Sequence, residues 1–250
     1  MIARMAKKLK RLSPQLAALA LILAANTIIA PGFLGISFQN GRLYGSLIDI
    51  LVRAAPVAIL AVGMTLVIAT RGIDLSVGAV MAISGATAAS LIVAGYPLAI
   101  VIPVALGVGL VCGLWNGFLV AVFDIQPIIA TLILMVAGRG IAQLITEGAI
   151  LTFNNDSFAT LGSGSFLGIP VPVLIWILAG LAIGLVVRST ALGFLIEATG
   201  INRRAAMLAG VKARFLLFSV YAVSGVCAAL AGLIATADIR GADANNAGLW

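Results

Sequence analysis

The sequence predicts an all-α fold, a polytopic transmembrane helical bundle, and three observations predict it. Of 250 residues, 62% are hydrophobic and only 9% charged, far below the roughly 25% charged residues of a soluble domain. The mean hydropathy is +1.22. Apolar runs continue for about the twenty residues a helix needs to cross a bilayer, without the alternation of barrel strands. Backbone polar groups in hydrocarbon must be satisfied internally, so runs of this kind mean helices.

About seven spans can be read in order. The first, 14–31, follows a basic head containing Arg4, Lys7, Lys8, Lys10 and Arg11. A secretory leader would begin similarly, but more apolar runs follow, so it reads as a retained helix. The second and third spans, 47–70 and 74–95, meet across "TRGIDLSVGAVM", Thr70 to Met81. Here Gly72 suits a left-handed turn ending one helix. Asp74, with Ser76, suits a cap for the next. The third span is rich in Gly, Ala, Ser and Thr, a composition that packs against protein and not lipid.

The fourth span, 97–123, carries Gly109, Gly113 and Gly117 on one side, a stripe for close helix contact. Asn116 beside it is placed to bond across helices or to line a wet path. In the fifth, 127–147, Arg139 lies mid-span, with Gln143 one turn later and Thr131 two turns earlier. A lipid-facing guanidinium is expensive. These residues are therefore expected to face the interior, either pairing there or lining an aqueous pathway. The last two spans are 170–187 and 215–237. Their pairs Gly180 and Gly184, and Gly225 and Ala229, offer small-residue faces to further helices. Cys112 and Cys227 fall inside apolar runs and read as packing thiols.

A cytoplasmic N-terminus and strict alternation put 71–73, 124–126 and 188–214 inside, and 32–46, 148–169 and 238–250 outside. Inside then lie the N-terminal cations, Arg71, Arg188, Arg203, Arg204, Lys212 and Arg214; outside lie only Arg42 and Arg240. This satisfies the positive-inside rule. It also accounts for the net charge of +7 without nucleic acid, since no basic face is interleaved with aromatics. The longest inside connection, "RSTALGFLIEATGINRRAAMLAGVKARF", is expected to hold a short helix near 202–209 between Gly200 and Gly210. Such a segment suits a membrane surface or a partner's groove.

There is no histidine. Asp49, Asp74, Asp124, Glu147, Asp156, Glu197, Asp238 and Asp243 all map to span ends or loops. That leaves few groups for acid–base catalysis or metal ligation, so no catalytic residue, metal or cofactor is expected. It also disfavours the alternative of an ion-coupled secondary transporter of a small polar solute, which ordinarily carries an acid deep in a span. The phosphate-cradling pattern GxxxxGK[ST] is missing from the sequence.

The stretch "AVGMTLVIATRGIDLSVGAVMA", with Gly63, Met64, Thr65, Gly72, Asp74, Leu75, Ser76 and Gly78 in register, resembles the signature of bacterial monosaccharide ABC-importer permeases of the ribose, xylose and arabinose group. "NGFLVAVFDIQPIIATLILMVAGRGIA" continues the match, which runs from about residue 45 onward. Where the family has a plain glycine pair, this chain has Arg71-Gly72. "GINRRAAMLAG" resembles the family's cytoplasmic coupling loop, carried here by Glu197, Ala198, Asn202, Arg203, Ala205, Ala206 and Gly210. Within the group, "IDILVRAAPVAILAVGMTLVIAT" and "ADIRGADANNAGLW" look most like the galactofuranose permeases.

The resemblance implies a single permease domain over 1–250, with a coupling loop at 188–214, forming the path of a galactofuranose- or ribose-like sugar across the bacterial inner membrane. It implies a multi-pass protein embedded in the lipid bilayer that is not itself an enzyme. Separate cytoplasmic ABC ATPase subunits would hydrolyse ATP. A periplasmic sugar-binding protein and a second permease subunit, identical or related, would complete the complex. The family has roughly ten spans, so a chain with about seven is expected to be incomplete at its C-terminus.

Overall fold

The computed structural model describes residues 2–30, 32–39 and 41–242, with side chains from residue 14 onward except Gln39. The side chains of the N-terminal cations, and the end of the chain from Asp243, lie outside the described residues. Two units are distinguished, dividing after Leu51.

The first unit contains α1 (Ile2–Ile29) and an antiparallel hairpin of β1 (Ser37–Gln39) and β2 (Arg42–Tyr44), in which Phe38 pairs with Leu43. The hairpin occupies what reads in the sequence as a plain loop. Gly41, at φ +77°, stands in its turn, a conformation that costs a residue without a Cβ little. α2 (Ser46–Ala69) begins in this unit.

The second unit holds α3 (Val77–Val93), α4 (Leu98–Ala121), α5 (Pro127–Ile145), α6 (Asp156–Ser163), α7 (Val171–Ser189), α8 (Leu192–Ile201), α9 (Arg203–Leu208) and α10 (Ala213–Ile239). Short strands pair β3 (Leu151–Thr152) with β6 (Gly241–Ala242), and β4 (Ser165–Phe166) with β5 (Ile169–Pro170). Pro127 and Pro172 sit at the starts of α5 and α7, where the missing N–H would have no partner in any case.

α10 is the axis of this unit, and it packs on α4 through glycine. Gly109 meets Gly225 and Ala229, Gly113 meets Tyr221, and Gly117 meets Phe218. A Cβ at Gly113 would stand 3.0 Å from Ala222 Cα, so the stripe on α4 brings two backbones together as its spacing predicts. Gly225 and Ala229 consequently face α4 and not further helices. The position a Cβ would take at Gly184 meets nothing within 4 Å. α3 fills the space beside α10, burying Ala79, Val80, Met81, Ile83, Ser84, Gly85, Ala86, Ala88 and Ala89. Cys112 and Cys227 are free thiols within this packing.

Among the described residues, five helices, α2, α4, α5, α7 and α10, are long and apolar enough to cross a membrane. The apolar part of α1, Pro14–Ile29, and the 17-residue α3 are shorter. At 1.5 Å per residue α3 reaches roughly 25 Å, less than the ~30 Å hydrocarbon core. It starts at Val77 and not at 74, because Gly72 to Ser76 is non-helical.

Alternation of the helices sorts their connections to two ends. At one end Thr70, Arg71, Asp124, Gln126, Asn202 and Arg203 share a cavity of about 500 Å³. At the other, β3 pairs with β6, and Arg240 bonds Asn154 at 2.9 Å and Asp156 at 3.1 Å.

Candidate functional site

The break between α2 and α3 is built from the backbone upward. α2 closes with Arg71 N–H donating to Ile68 O and Gly72 N–H to Val67 O, both at 2.9 Å. This is a Schellman-type ending, but its left-handed residue is Arg71, at φ 59°, and not Gly72. Gly72 is small for another reason. A Cβ there would stand 2.7 Å from Tyr221 Oη and 2.9 Å from Val67 Cγ1. Beyond it the chain alternates as a strand would: Gly72, Asp74 and Ser76 are buried, while Ile73 and Leu75 are exposed.

Side chains replace the hydrogen bonds that a helix would have made for itself. Asp74 is 3% exposed. Its Oδ1 accepts from Ser76 N at 3.0 Å and from Ser76 Oγ at 2.6 Å, and its Oδ2 accepts from Ser224 Oγ on α10 at 2.9 Å. Ser76 Oγ in turn accepts from Asn116 Nδ2 on α4 at 2.8 Å. Thr131 Oγ1 on α5 accepts from Leu75 N at 3.2 Å while donating to its own helix at Pro127 O, 2.9 Å. The break is thus tied to α4, α5 and α10. Irregular backbone persists inside a membrane bundle only under such internal satisfaction. Among the described residues, Asn116 Oδ1 and Tyr221 Oη are buried here without a hydrogen-bond partner.

Two expectations change. Asp74 does not cap α3: Ser76 is the N-cap residue and no side chain closes it, because the carboxylate is engaged by its own segment and by α10. Asp74 does lie between two spans, as expected, and there it is buried. Arg139 and Gln143 do not face the interior of this chain; both are exposed. The buried positions of α5 are Ala130, Thr131, Leu134, Gly138 and Ala142. Arg139 and Gln143 each follow one of these and so lie about 100° further round the helix. Thr131 is buried, so the three do not share a face.

The cavity end of the unit carries the residues of the sequence's "GINRRAAMLAG". α9 is capped by Asn202, whose Oδ1 accepts from Ala205 N at 3.0 Å. It ends at Gly210, φ +87°, with Gly210 N–H bonding Met207 O and Val211 N–H bonding Ala206 O, both at 3.0 Å. The short helix expected near 202–209 is therefore present, preceded by a helix, α8, that was not expected. Ala206 is buried, whereas Ala205, Gly210 and Glu197 are exposed and Ala198 is intermediate. Leu208 is 91% exposed, and Ile201 and Met207 are exposed beside it. Arg203 Nη1 reaches Asp124 Oδ1 at 2.6 Å, and Nη2 reaches Ala121 O at 3.4 Å. Gly200 packs on the end of α2, where a Cβ would collide with the Ala69 carbonyl.

Residues 46–250 match the family described as branched-chain amino acid transport system / permease component. The chain belongs to this permease family. It is 62% identical over 237 residues to the galactofuranose transporter permease protein YtfT of Escherichia coli (strain K12), covering 95% of this chain and 70% of that protein. It is 44% identical to the fructose import permease protein FruF of Bifidobacterium longum, covering 90% of this chain and 65% of the other. It is 39% identical to the ribose import permease protein RbsC of Haemophilus influenzae, with 90% and 68% covered. The chain thus spans about two thirds of the length of these permeases. No solved structure matches it significantly. Likeness to sugar-import permeases favours that class over an ion-coupled transporter.

Sequence reading of this permease missed Ser224 and Tyr221. The available signal was their spacing of i and i+3 beside Gly225, which makes a polar edge on a small-residue face. No local signal paired Arg203 with Asp124, 79 positions away.

Proposed function

We propose that the chain is the membrane permease subunit of an ATP-binding-cassette importer, forming the path by which a monosaccharide of galactofuranose or ribose type crosses a bacterial inner membrane. The observation that carries the reading is its similarity to sugar permeases over 90% or more of its own length. ATP is hydrolysed by separate cytoplasmic ATPase subunits. A periplasmic sugar-binding protein delivers the sugar, and a second permease subunit, the same or related, completes the path.

In this reading the N-terminus and the 188–214 loop are cytoplasmic. Support comes from the cations Arg71, Arg203 and Arg204, which line the cavity, and from Arg188, Lys212 and Arg214 in the same loop or at its edges in sequence, as the positive-inside rule requires. The loop docks the ATPase through α9 and its flanks. The exposed apolar side chains Ile201, Met207 and Leu208 support this role, since apolar side chains presented by a short helix suit a partner's groove. Ala206 holds α9 from beneath, while Glu197, Asn202, Ala205 and Gly210 lie at the contact. Arg139 and Gln143, on the outward face of α5, line the path or meet the second subunit.

Purified full-length permease with its ATPase and binding protein in proteoliposomes tests the reading. ATP-dependent uptake of at least one sugar from a panel of labelled pentoses and hexoses is expected. Uptake that follows a sodium or proton gradient and ignores ATP would refute it.

A further inference from the structure

Between the loop that docks the ATPase and the interior of the second unit lies backbone that lacks a helical ladder. Gly200, at the end of α8, packs directly on Ala69 and Thr70: a Cβ there would lie 3.3 Å from Thr70 Cα. Surfaces packed this closely cannot move independently. α9 begins shortly afterwards, and its Arg203 holds Asp124 in the α4–α5 turn at 2.6 Å. From Thr70 the chain turns at Arg71, φ 59°, and continues without helix to Asp74 and Ser76. There the carboxylate reaches Ser224 on α10 at 2.9 Å, and the hydroxyl meets Asn116 on α4 at 2.8 Å. A continuous line of contacts therefore joins the loop to α3, α4 and α10.

An α-helix carries displacement as a rod because its own hydrogen bonds fix it. Gly72 to Ser76 has no such ladder, so the partners of Asp74 and Ser76 set its position. Shifting it means exchanging hydrogen bonds, which is a discrete step and not a gradual bend. Asn116 Oδ1 and Tyr221 Oη, buried beside it without partners, are an acceptor and a hydroxyl available to a second arrangement.

We propose that the non-helical segment Gly72–Ser76, clamped by Asp74 to Ser224 and by Ser76 to Asn116, is the transmission element between the ATPase-docking loop and the path-forming helices, with Asp74 and Ser224 as positioning residues of transport. The proposal rests on the permease reading above.

Its test measures sugar uptake and ATP hydrolysis in the same proteoliposomes, for the complete complex and for the variants Ser224→Ala, Asp74→Asn and both together. Ser224→Ala removes one hydroxyl and leaves the backbone alone. Complexes carrying it are expected to assemble and hydrolyse ATP, with sugar moved per ATP reduced about fivefold or more, the lower range for coupling between sites. The double variant is expected to lose no more than the worse single one, as residues acting through one clamp do. An unchanged ratio in Ser224→Ala, or additive losses, would overturn the proposal. Failure of Ser224→Ala to assemble would also overturn it, by assigning the clamp to folding alone. If the unaltered complex moves no sugar on ATP, the permease reading itself fails and the proposal falls with it.

Discussion

At position 72 glycine is required by its neighbours and not by its backbone conformation. Gly72→Ala puts a methyl 2.7 Å from Tyr221 Oη and 2.9 Å from Val67 Cγ1, so a loss of about 1–3 kcal/mol is expected from overpacking. Tyr221→Phe in the same chain should return part of that loss, because it removes the first of the two clashes. Thermal unfolding in detergent reads both. Alone, Tyr221→Phe is expected to leave stability level or raised, since the hydroxyl it deletes has no protein partner. A marked fall would show that the hydroxyl is bonded after all. Asp74→Ala removes the acceptor of the Ser76 N–H and of the Ser76 and Ser224 hydroxyl protons and is expected to cost roughly 1–3 kcal/mol for each donor left unpaired. That exceeds the ~1 kcal/mol typical of a lost helix cap, so the size of the effect distinguishes clamp from cap.

Among the helices, the contact of α4 with α10 depends on having no side chain at Gly109, Gly113 and Gly225. Gly113→Val would drive a branched side chain into the Tyr221 carbonyl and Ala222. It is expected to destabilise by about 3 kcal/mol, the upper range for overpacking. Gly184→Val on α7 meets open space and is expected to change stability by no more than about 0.5 kcal/mol. The yield of monodisperse protein after a heat step compares the two, and equal losses would remove the claim that α4 and α10 meet through bare backbone. The α4 half of this contact was legible, since glycines four apart read directly as a packing stripe. Its partner was not, because Gly225 and Ala229 looked equally suited to any neighbour.

For the whole molecule, the two ends of the second unit give a direct test of orientation. Leu208 and Leu167 are 91% and 88% exposed, and alternation puts them on opposite sides of the membrane. With Cys112 and Cys227 replaced by Ala, the single variants Leu208→Cys and Leu167→Cys offer one thiol each. A membrane-impermeant thiol reagent added to spheroplasts is expected to label the cysteine at 167 at once, and the one at 208 only after permeabilisation. The reverse pattern would turn the protein over and move the docking loop to the wrong side for an ATPase.

The sequence by itself determined the solvent, the elements and the family. Composition demanded a bilayer, run length demanded helices, and the ends of α2, α3, α4, α5, α7 and α10 fell within a few residues of their expected places, whereas α1 starts at Ile2 and not at 14. Charge placement sorted the loops into two groups, and the stretch around Gly72, Asp74 and Ser76 pointed to a permease. These properties are local, readable within a window of about twenty residues. Only the tertiary structure decided what the polar residues do. Asp74 finds Ser224 at a separation of 150 positions, and Arg203 finds Asp124 at 79. Arg139 turns outward although one position earlier would have buried it. The physical reason lies in the solvent. In water an apolar stripe announces the buried face of a helix, but in lipid both faces of a span are apolar. Inside and outside then differ by close packing and hydrogen bonding, which exist only once the distant helices have met.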